Sequence, residues 1–163
     1  MRSTRLAAIL CLALAGPAAA QSSFDLGQID VDPSAQVEVT ADSLEISQED
    51  GTAVFSGNVV VGQGEMRISA GEVRVNYSDE TGDITRLDLS GGVTFATPTE
   101  AAEAQAAEYD IGSQLLTLTG DVLLQQGQSA IGAERAVIDL GAGTARMEGQ
   151  VRTVLGQTPG GGE

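Results

Sequence analysis

Acidic side chains are the only reactive groups that this sequence contains in large number. The chain of 163 residues has 23 Asp and Glu residues against eight Arg residues. Paired carboxylates hydrolyse glycosidic bonds, but no pair of acids here is distinguished from the others by its spacing or its neighbours. We therefore interpret the acids as a solvated outer surface, and we expect no enzymatic activity.

The residue types that are missing exclude several classes of function. The sequence has no His and no Lys, and Cys11 is its only cysteine. A His/Cys metal site, a His-activated nucleophile and a lysine Schiff base are therefore excluded. The net charge of −15 repels a phosphate backbone. We expect no cofactor, no metal and no nucleic-acid partner.

The first 20 residues have the features of a secretory signal peptide. Arg2 and Arg5 supply a positive start, and the apolar run over residues 6–16 is too short to span a bilayer. An uncleaved membrane anchor is the alternative, which this short run disfavours. Ala18 and Ala20 form an A-x-A cleavage site, so we predict a signal peptide over residues 1–20. The mature chain would then contain no cysteine and would depend on an apolar core.

The rest of the chain divides by composition into three parts. Residues 21–35 are polar and predict a flexible leader, and residues 156–163 end in a Gly-rich run and predict a disordered tail. Between them, residues 36–155 alternate apolar and polar side chains between Gly-rich turns, which is typical of half-buried β-strands. Residues 100–108 are rich in Ala, Glu and Gln, which favours a helix. We nevertheless predict a strand over residues 103–111, because it falls within a repeat.

Two short motifs repeat four times along this domain. One places an apolar residue, Gly and Val at alternate positions, and the other places an apolar or small residue three positions after Ala. The first occurs as Phe55-Ser56-Gly57-Asn58-Val59, Leu89-Ser90-Gly91-Gly92-Val93, Leu118-Thr119-Gly120-Asp121-Val122 and Met147-Glu148-Gly149-Gln150-Val151. The second occurs as Ala41/Leu44, Ala70/Val73, Ala106/Tyr109 and Ala133/Ala136.

These two motifs together predict strands that bend at matching places. A step of three reverses the face that side chains occupy, so the apolar side stays inward only if a β-bulge inserts one residue. A glycine between two large inward residues lets the strand bend. We predict an all-β fold: a bent, V-shaped antiparallel β jelly roll of repeated short strands with open ends.

The motifs also carry a resemblance to a known family. From Val37 to Val151 the chain resembles the LptA/OstA-like family of periplasmic lipopolysaccharide-transport proteins. The resemblance implies a jelly roll that shields acyl chains and links the inner to the outer membrane as a bridge. The segments that resemble the OstA-like repeat are Ala41-Asp42-Ser43-Leu44, Phe55 to Val61, Ile68-Ser69-Ala70, Val73 to Tyr77 and a second copy from Leu118 to Leu140.

The resemblance also implies partners, a location and docking strands. It implies a periplasmic protein that binds lipopolysaccharide through the lipid A part. The implied protein partners are an LptC-like inner-membrane protein, an LptD-like outer-membrane protein and further copies of the chain in a head-to-tail homo-oligomer. The resemblance places docking on end strands that include Val37 and Val39 at the start of the domain and Met147 and Val151 at its end. The alternative function is a structural β filament of the envelope that carries no lipid.

The predicted lipid groove comprises inward-facing positions of the repeats, together with positions that the family resemblance assigns to its interior. The resemblance contributes Phe95, Tyr109 and Ile111. The complete predicted set is Leu44, Ile46, Phe55, Val59, Ile68, Val73, Leu89, Val93, Phe95, Tyr109, Ile111, Leu118, Val122, Ile138 and Met147.

Overall fold

The computed structural model describes residues 22–25, 35–47 and 49–156, and these form thirteen β-strands. The predicted cleavage site at Ala18 and Ala20 lies outside the described residues. Within the described ranges, no helical segment has the length and apolarity needed to cross a bilayer. The strands are β1 (Ser22–Asp25), β2 (Val37–Thr40), β3 (Ser43–Ser47), β4 (Thr52–Gln63), β5 (Met66–Tyr77), β6 (Ile84–Ser90), β7 (Val93–Ala96), β8 (Glu100–Ala104), β9 (Ala106–Asp110), β10 (Leu115–Gln126), β11 (Ser129–Asp139), β12 (Thr144–Glu148) and β13 (Arg152–Val154).

Four long strands, β4, β5, β10 and β11, each take part in two sheets. In what we name sheet I, the order of neighbouring strands is β2-β4-β5-β7-β8-β10-β11-β13. In sheet II, the order is β3-β4-β5-β6-β9-β10-β11-β12-β1. All these pairings are antiparallel, and the molecule is the bent antiparallel β jelly roll that the repeats predict.

The long strands pass from one sheet to the other at bulges. Between β4 and β5 the register shifts between Ser56 and Val59, so that Gly57 and Asn58 lie opposite the single residue Gly71. Between β10 and β11 it shifts in the same way between Thr119 and Val122. At the other two Gly motifs the chain leaves one sheet after β6 or β12 and enters the other at β7 or β13. The predicted register shifts are therefore present inside the long hairpins. The extra residue, however, belongs to the Gly motif of β4 and β10 and not to the Ala step of the neighbouring strand, where the pattern placed it.

We call the places where the chain passes from one sheet to the other the crossings. The Ala motif lies at these same crossings on the neighbouring strands. In β5, Ala70 and Val73 are both buried, whereas Gly71 and Glu72 between them are exposed, as the step of three requires. The structure shifts the third copy of this motif by two residues. Gln105 lies at that crossing, so the pair that matches the other copies is Ala104 and Ala107 rather than Ala106 and Tyr109.

Residues 100–110 form two strands, β8 and β9, that are separated at Gln105. The Gln105 backbone N–H donates to the carbonyl oxygens of Thr119 (3.1 Å) and Gly120 (3.0 Å). Alternating burial, with Ala102 and Ala107 inward, prevails over the helical propensity of this Ala-rich stretch. The strand therefore begins at Glu100, three residues before its expected start.

The leader segment contributes the last strand of sheet II. β1 pairs with β12, with Ser22 opposite Met147 and Asp25 opposite Thr144. At the same end of the molecule, sheet I ends at β13, which pairs only with β11 among the described strands. The C-terminal end of the jelly roll therefore has one covered and one uncovered sheet edge.

Candidate functional site: the apolar interior

The space between the inner faces of the two sheets is the main candidate site. Among the residues that the structure describes, 25 apolar side chains from both sheets form one buried cluster there. Because each strand has period two, the same alternation that directs these side chains inward directs the charged ones outward. Of the predicted groove residues, those buried in this cluster are Val59, Ile68, Val73, Leu89, Val93, Phe95, Tyr109, Leu118, Val122, Ile138 and Met147.

Four predicted groove residues lie at the margins of the interior. Phe55 and Ile111 are half-buried and pack against the cluster. Leu44 and Ile46, expected inside, are 51% and 66% exposed. They lie on β3, the edge strand of sheet II, where no further strand of that sheet covers them. Because Leu44 is opposite Phe55 in register, the two side chains share one face, and the apolar inner face continues outward to this end.

At three crossings, a side-chain hydrogen bond joins the residue that follows the glycine of the Gly motif to the residue that follows the alanine of the Ala motif. Asn58 Nδ2 donates to Asp42 Oδ2 (2.8 Å), and two equivalent bonds lie at later crossings. These are Gln105 Nε2 to Asp121 Oδ2 (2.5 Å) and Gln150 Nε2 to Glu134 Oε1 (2.6 Å). Sequence reasoning missed these pairs, although three copies of each motif carry a polar residue at the matching position.

The second crossing uses close backbone contact instead of a side-chain bond. Gly71 and Gly91 approach so closely that a Cβ atom on Gly91 would lie 3.2 Å from Gly71 Cα. Gly91 also has a φ of +79°, which disfavours a side chain. The second crossing therefore brings two backbone segments into direct contact at a place where a side chain on Gly91 would not fit.

One buried polar pair joins the two sheets within this apolar interior. The Tyr109 hydroxyl, on β9 of sheet II, donates to Gln63 Oε1, on the sheet I half of β4, at 2.9 Å. Tyr109 is 1% exposed and Gln63 is 2% exposed. Gln63 Nε2 donates to the Ala35 carbonyl oxygen (3.2 Å). The sequence analysis did not predict a role for Gln63, although Gln63 continues the inward alternation of Val59 and Val61.

The environment of Tyr109 shifts the pKa of its phenol. Burial, with a smaller contribution from the Asp110 carboxylate, raises the pKa of the Tyr109 phenol. The phenol is neutral at physiological pH, as an ordinary tyrosine is, and the raised pKa extends its role as donor to Gln63 into the alkaline range. The pKa of Asp110 is lowered, chiefly because its carboxylate accepts hydrogen bonds from the backbone N–H and the hydroxyl of Ser113.

Glu100 is a second polar residue whose side chain is buried. Its Oε2 accepts hydrogen bonds from the hydroxyls of Thr97 (2.5 Å) and Thr99 (2.6 Å). Its Oε1 accepts one from Gln126 Nε2 (3.4 Å). These bonds stabilise the turn before β8. Among the described residues, no group of three or more His, Cys, Asp or Glu side chains has the arrangement of a metal site.

The predicted docking residues have different environments. Val37 and Val39 on β2 are half-buried against the cluster, and Val151 is exposed between β12 and β13. Met147 is buried inside, so its side chain belongs to the interior and not to a docking surface. The exposed apolar side chains of Val154 and Leu155 lie at this end, after the predicted docking residue Val151.

Comparison with known proteins identifies the family of this fold. A family described as "LptA/(LptD N-terminal domain) LPS transport protein" matches residues 38–154. The chain belongs to this family. The matched residues are nearly those of strands β2 to β13, so the match covers the two sheets and their interior except for β1.

Two individual proteins are similar to this chain. An uncharacterized protein of Rhizobium meliloti (strain 1021) is 29% identical over 101 residues, which cover 57% of this chain and 54% of the relative. The chain therefore spans about half the length of this curated relative. The crystal structure of LptH from Pseudomonas aeruginosa, described as the LptA-homologous periplasmic component of a lipopolysaccharide transport device, superposes with a TM-score of 0.71 at 17% identity. It covers 78% of this chain and 99% of LptH, which establishes a shared fold.

Proposed function

We propose that this protein carries lipopolysaccharide through the periplasm, as a bridge module that shields the acyl chains between its two sheets. The observation that carries the proposal is the continuous apolar interior, which coincides with the residues of the transport family. Burial of each acyl methylene contributes about 0.8 kcal/mol, so ten methylenes contribute roughly 8 kcal/mol. An exposed ion pair contributes only about 0–1 kcal/mol. Lipid held by its acyl chains is therefore compatible with an acidic outer surface.

The proposed lipid path follows the buried inner face. Its central residues are Phe95 on β7 and Leu118 on β10, both buried. Their neighbours Thr94 and Thr119 are exposed on the outer face of the same strands. The path continues to Leu44 at one end of the molecule and to the uncovered β13 edge of sheet I at the other end. In this function the chain holds and passes a lipid, so we infer no catalytic group.

Photo-crosslinking in cells tests the lipid path directly. A photoreactive residue at Phe95 or Leu118 should capture lipopolysaccharide, whereas the same residue at Thr94 or Thr119 should not, because one step along a strand reverses the face. Circular dichroism of each variant must show an intact β spectrum. Equal capture from both faces, or transport without any capture from the inner face, would contradict the groove.

We propose that export uses the signal peptide over residues 1–20 and that copies stack head to tail between LptC-like and LptD-like partners. In such a stack, the β2 and β3 edges of one copy would add to the β13 and β12 edges of the next. Antiparallel alternation would continue through both sheets, which supports this arrangement. Because β1 pairs with β12, stacking on sheet II requires β1 to leave that edge.

A further inference from the structure

The outer face of sheet I differs in charge from the rest of this acidic molecule. Its outward charged side chains, all of them exposed, are Glu38, Arg67, Glu103 and Arg152. Two acids and two Arg residues give the face a net charge of zero, whereas residues 21–163 together carry 23 acids and six Arg residues. A second copy of the chain can therefore approach this face without the repulsion that acts elsewhere on the surface.

These four charges alternate in sign along the strand order of sheet I. The acids lie on β2 and β8, and the Arg residues lie on β5 and β13, so the sign changes at each step along the face. When this order is reversed, each acid comes opposite an Arg. Two copies that face each other with opposite strand orders therefore match Glu38 with Arg152 and Arg67 with Glu103, whereas equal strand orders place like charges together.

The four charged side chains are also available for a partner. None of them forms an ion pair with another described residue, and the two ion pairs among the described residues both lie on sheet II. Arg67 Nη1 donates to the carbonyl oxygens of Gly64 (2.6 Å) and Met66 (2.7 Å), which holds the guanidinium at the β4–β5 turn. The Nε and Nη2 groups of Arg67 make no hydrogen bond with a described residue, so they can meet a carboxylate.

The centre of this face is suited to close packing of two sheets. Its outward side chains there are small, and they include Ser69, Thr94, Ala96 and Ala101. Eight strands about 4.8 Å apart, each with roughly four to five residues in this sheet, give a face of about 550 Å². Two such faces bury about 1,100 Å², which is near the lower limit for a specific interface.

We propose that two copies of this chain form a symmetric dimer through the outer faces of sheet I, with opposite strand orders. The interface is isologous, so each contact occurs twice and the assembly closes at two copies. The dimer goes beyond the proposed function, because it uses only outward side chains. The apolar interior and the backbone groups of the end strands lie outside the interface.

Reversal of a central charge tests this dimer in a protein of residues 21–163. Glu103→Arg reduces the net negative charge and with it the general repulsion between copies. It should nevertheless decrease the association constant about tenfold, because Arg then faces Arg67 of the second copy at two places. Glu108→Arg makes the same change of charge on the outer face of sheet II, and it should cause no decrease. Sedimentation equilibrium measures both variants.

The double variant Arg67→Glu/Glu103→Arg restores opposite charges at both contacts. Its association constant should return to that of the unmodified chain. Circular dichroism must show an intact β spectrum for each variant. A Glu103→Arg variant that associates as strongly as Glu108→Arg, or a double variant no stronger than Glu103→Arg, would overturn the dimer.

A single cysteine near the two-fold axis tests the symmetry without reversing a charge. With the charges matched, the axis passes between β7 and β8, so Thr94 lies beside Thr94 of the second copy. Thr94→Cys should form covalent dimers with a short bis-maleimide, whereas Thr119→Cys, exposed on the outer face of sheet II, should not. Stacking at the ends would hold the Thr94 positions a molecular length apart. Equal crosslinking of the two variants, or none from Thr94→Cys, would overturn the dimer and leave the lipid-carrier function standing.

Discussion

Tyr109 shows how one inward position can differ in chemistry from its neighbours on the same face. Leu116 and Leu118 on the adjoining strand contribute apolar surface alone, whereas Tyr109 brings a hydroxyl that needs a partner. Gln63 supplies that partner across the interior. A buried hydrogen bond of this kind specifies one alignment of the two sheets, which apolar packing alone specifies less strictly.

The raised pKa of Tyr109 predicts a loss of stability in alkali. In a Tyr77→Phe variant, Tyr109 is the only tyrosine, and its ordinary pKa is 10.0. Above that pH the phenol ionises in the unfolded chain while it remains neutral in the folded chain, so the free energy of unfolding should decrease until the pH reaches the folded pKa. The measurement is urea denaturation from neutral pH to above the tyrosine range.

The double variant Tyr77→Phe/Tyr109→Phe is the control for that measurement. It should lack the part of the alkaline decrease that Tyr109 causes. A parallel decrease in both variants would mean that the folded phenol titrates as it does in the unfolded chain.

Leu118 and Thr119 are neighbours on opposite faces of β10, and they predict opposite tolerance to charge. Leu118→Asp places a carboxylate among buried apolar side chains, and it should destabilise the fold by about 3–5 kcal/mol. Thr119→Asp is exposed and opposite Arg135, so its effect should stay within about 0.5 kcal/mol. Urea denaturation compares the two, and equal losses would contradict the assignment of the faces.

At the scale of elements, the crossings determine how the strands divide between the two sheets. Each long strand keeps its hydrogen-bonded partner through the bend, since the β4–β5 and β10–β11 ladders resume after their register shifts. The polar pairs near three of the crossings are exposed, so their individual contribution is modest. Glycine is required more strictly at the second crossing, because a Cβ atom on Gly91 would lie only 3.2 Å from Gly71 Cα.

Three glycines separate the two costs of adding a methyl group, which are close approach to a neighbour and a positive φ. Gly71→Ala introduces a Cβ 3.1 Å from the Gly91 carbonyl oxygen, with no positive φ. Gly82→Ala has a φ of +75° but no atom within 4 Å, so it should lose only the backbone term of about 1–2 kcal/mol. Gly91→Ala combines both costs and should be the least stable of the three.

Thermal and urea denaturation of these three alanine variants provide the comparison. A Gly91→Ala variant that is no less stable than Gly82→Ala would show that the close approach to Gly71 has little energetic weight.

At the scale of the whole molecule, the two ends determine what the jelly roll can join. The first end exposes Leu44 and Ile46 beside the β3 edge, and the last end exposes Val154 and Leu155 beside the β13 edge. Residues 21–163 carry 23 acids and six Arg residues, so copies repel one another at low ionic strength. Stacking therefore depends on apolar contacts and strand pairing at the ends, against a charge repulsion that salt screens.

We predict that β1 limits this stacking. Deletion of residues 21–34 frees the β12 edge, so it should increase the oligomeric fraction at a given concentration, and added salt should increase it further. Ser23 lies opposite Arg146 in register, so a disulfide between Ser23→Cys and Arg146→Cys should lower that fraction. Sedimentation velocity measures both variants.

Residues 21–163 contain no cysteine, which makes the disulfide test specific in a protein of that span. Reducing agent should restore the oligomers, and the single Ser23→Cys variant should show no such effect under reducing conditions. Loss of oligomers on deletion of residues 21–34 would contradict a cap and indicate that β1 pairs between copies.

The sequence by itself determined the features that depend on local backbone geometry. Period two separates the inner from the outer face, so the burial of Phe95 and Leu118 follows from their neighbours. The step from Ala70 to Val73 and the glycine at position 57 reveal the bends, because parity and backbone freedom are properties of a few consecutive residues. These local rules account for the bent jelly roll and for most of the apolar interior.

Only the tertiary structure decided which positions meet and where each sheet ends. Leu44 has the inward parity of a core residue, yet it is exposed because its strand lies at an edge. The third crossing lies at Gln105, two residues before the position that the motif predicted. The hydrogen bonds from the Gln105 backbone N–H to the carbonyl oxygens of Thr119 and Gly120 fix the register there. The Tyr109–Gln63 bond and the β1–β12 pairing join residues far apart in the chain. Local periodicity gives each residue a face, but the partner on that face depends on how the strands are ordered in space.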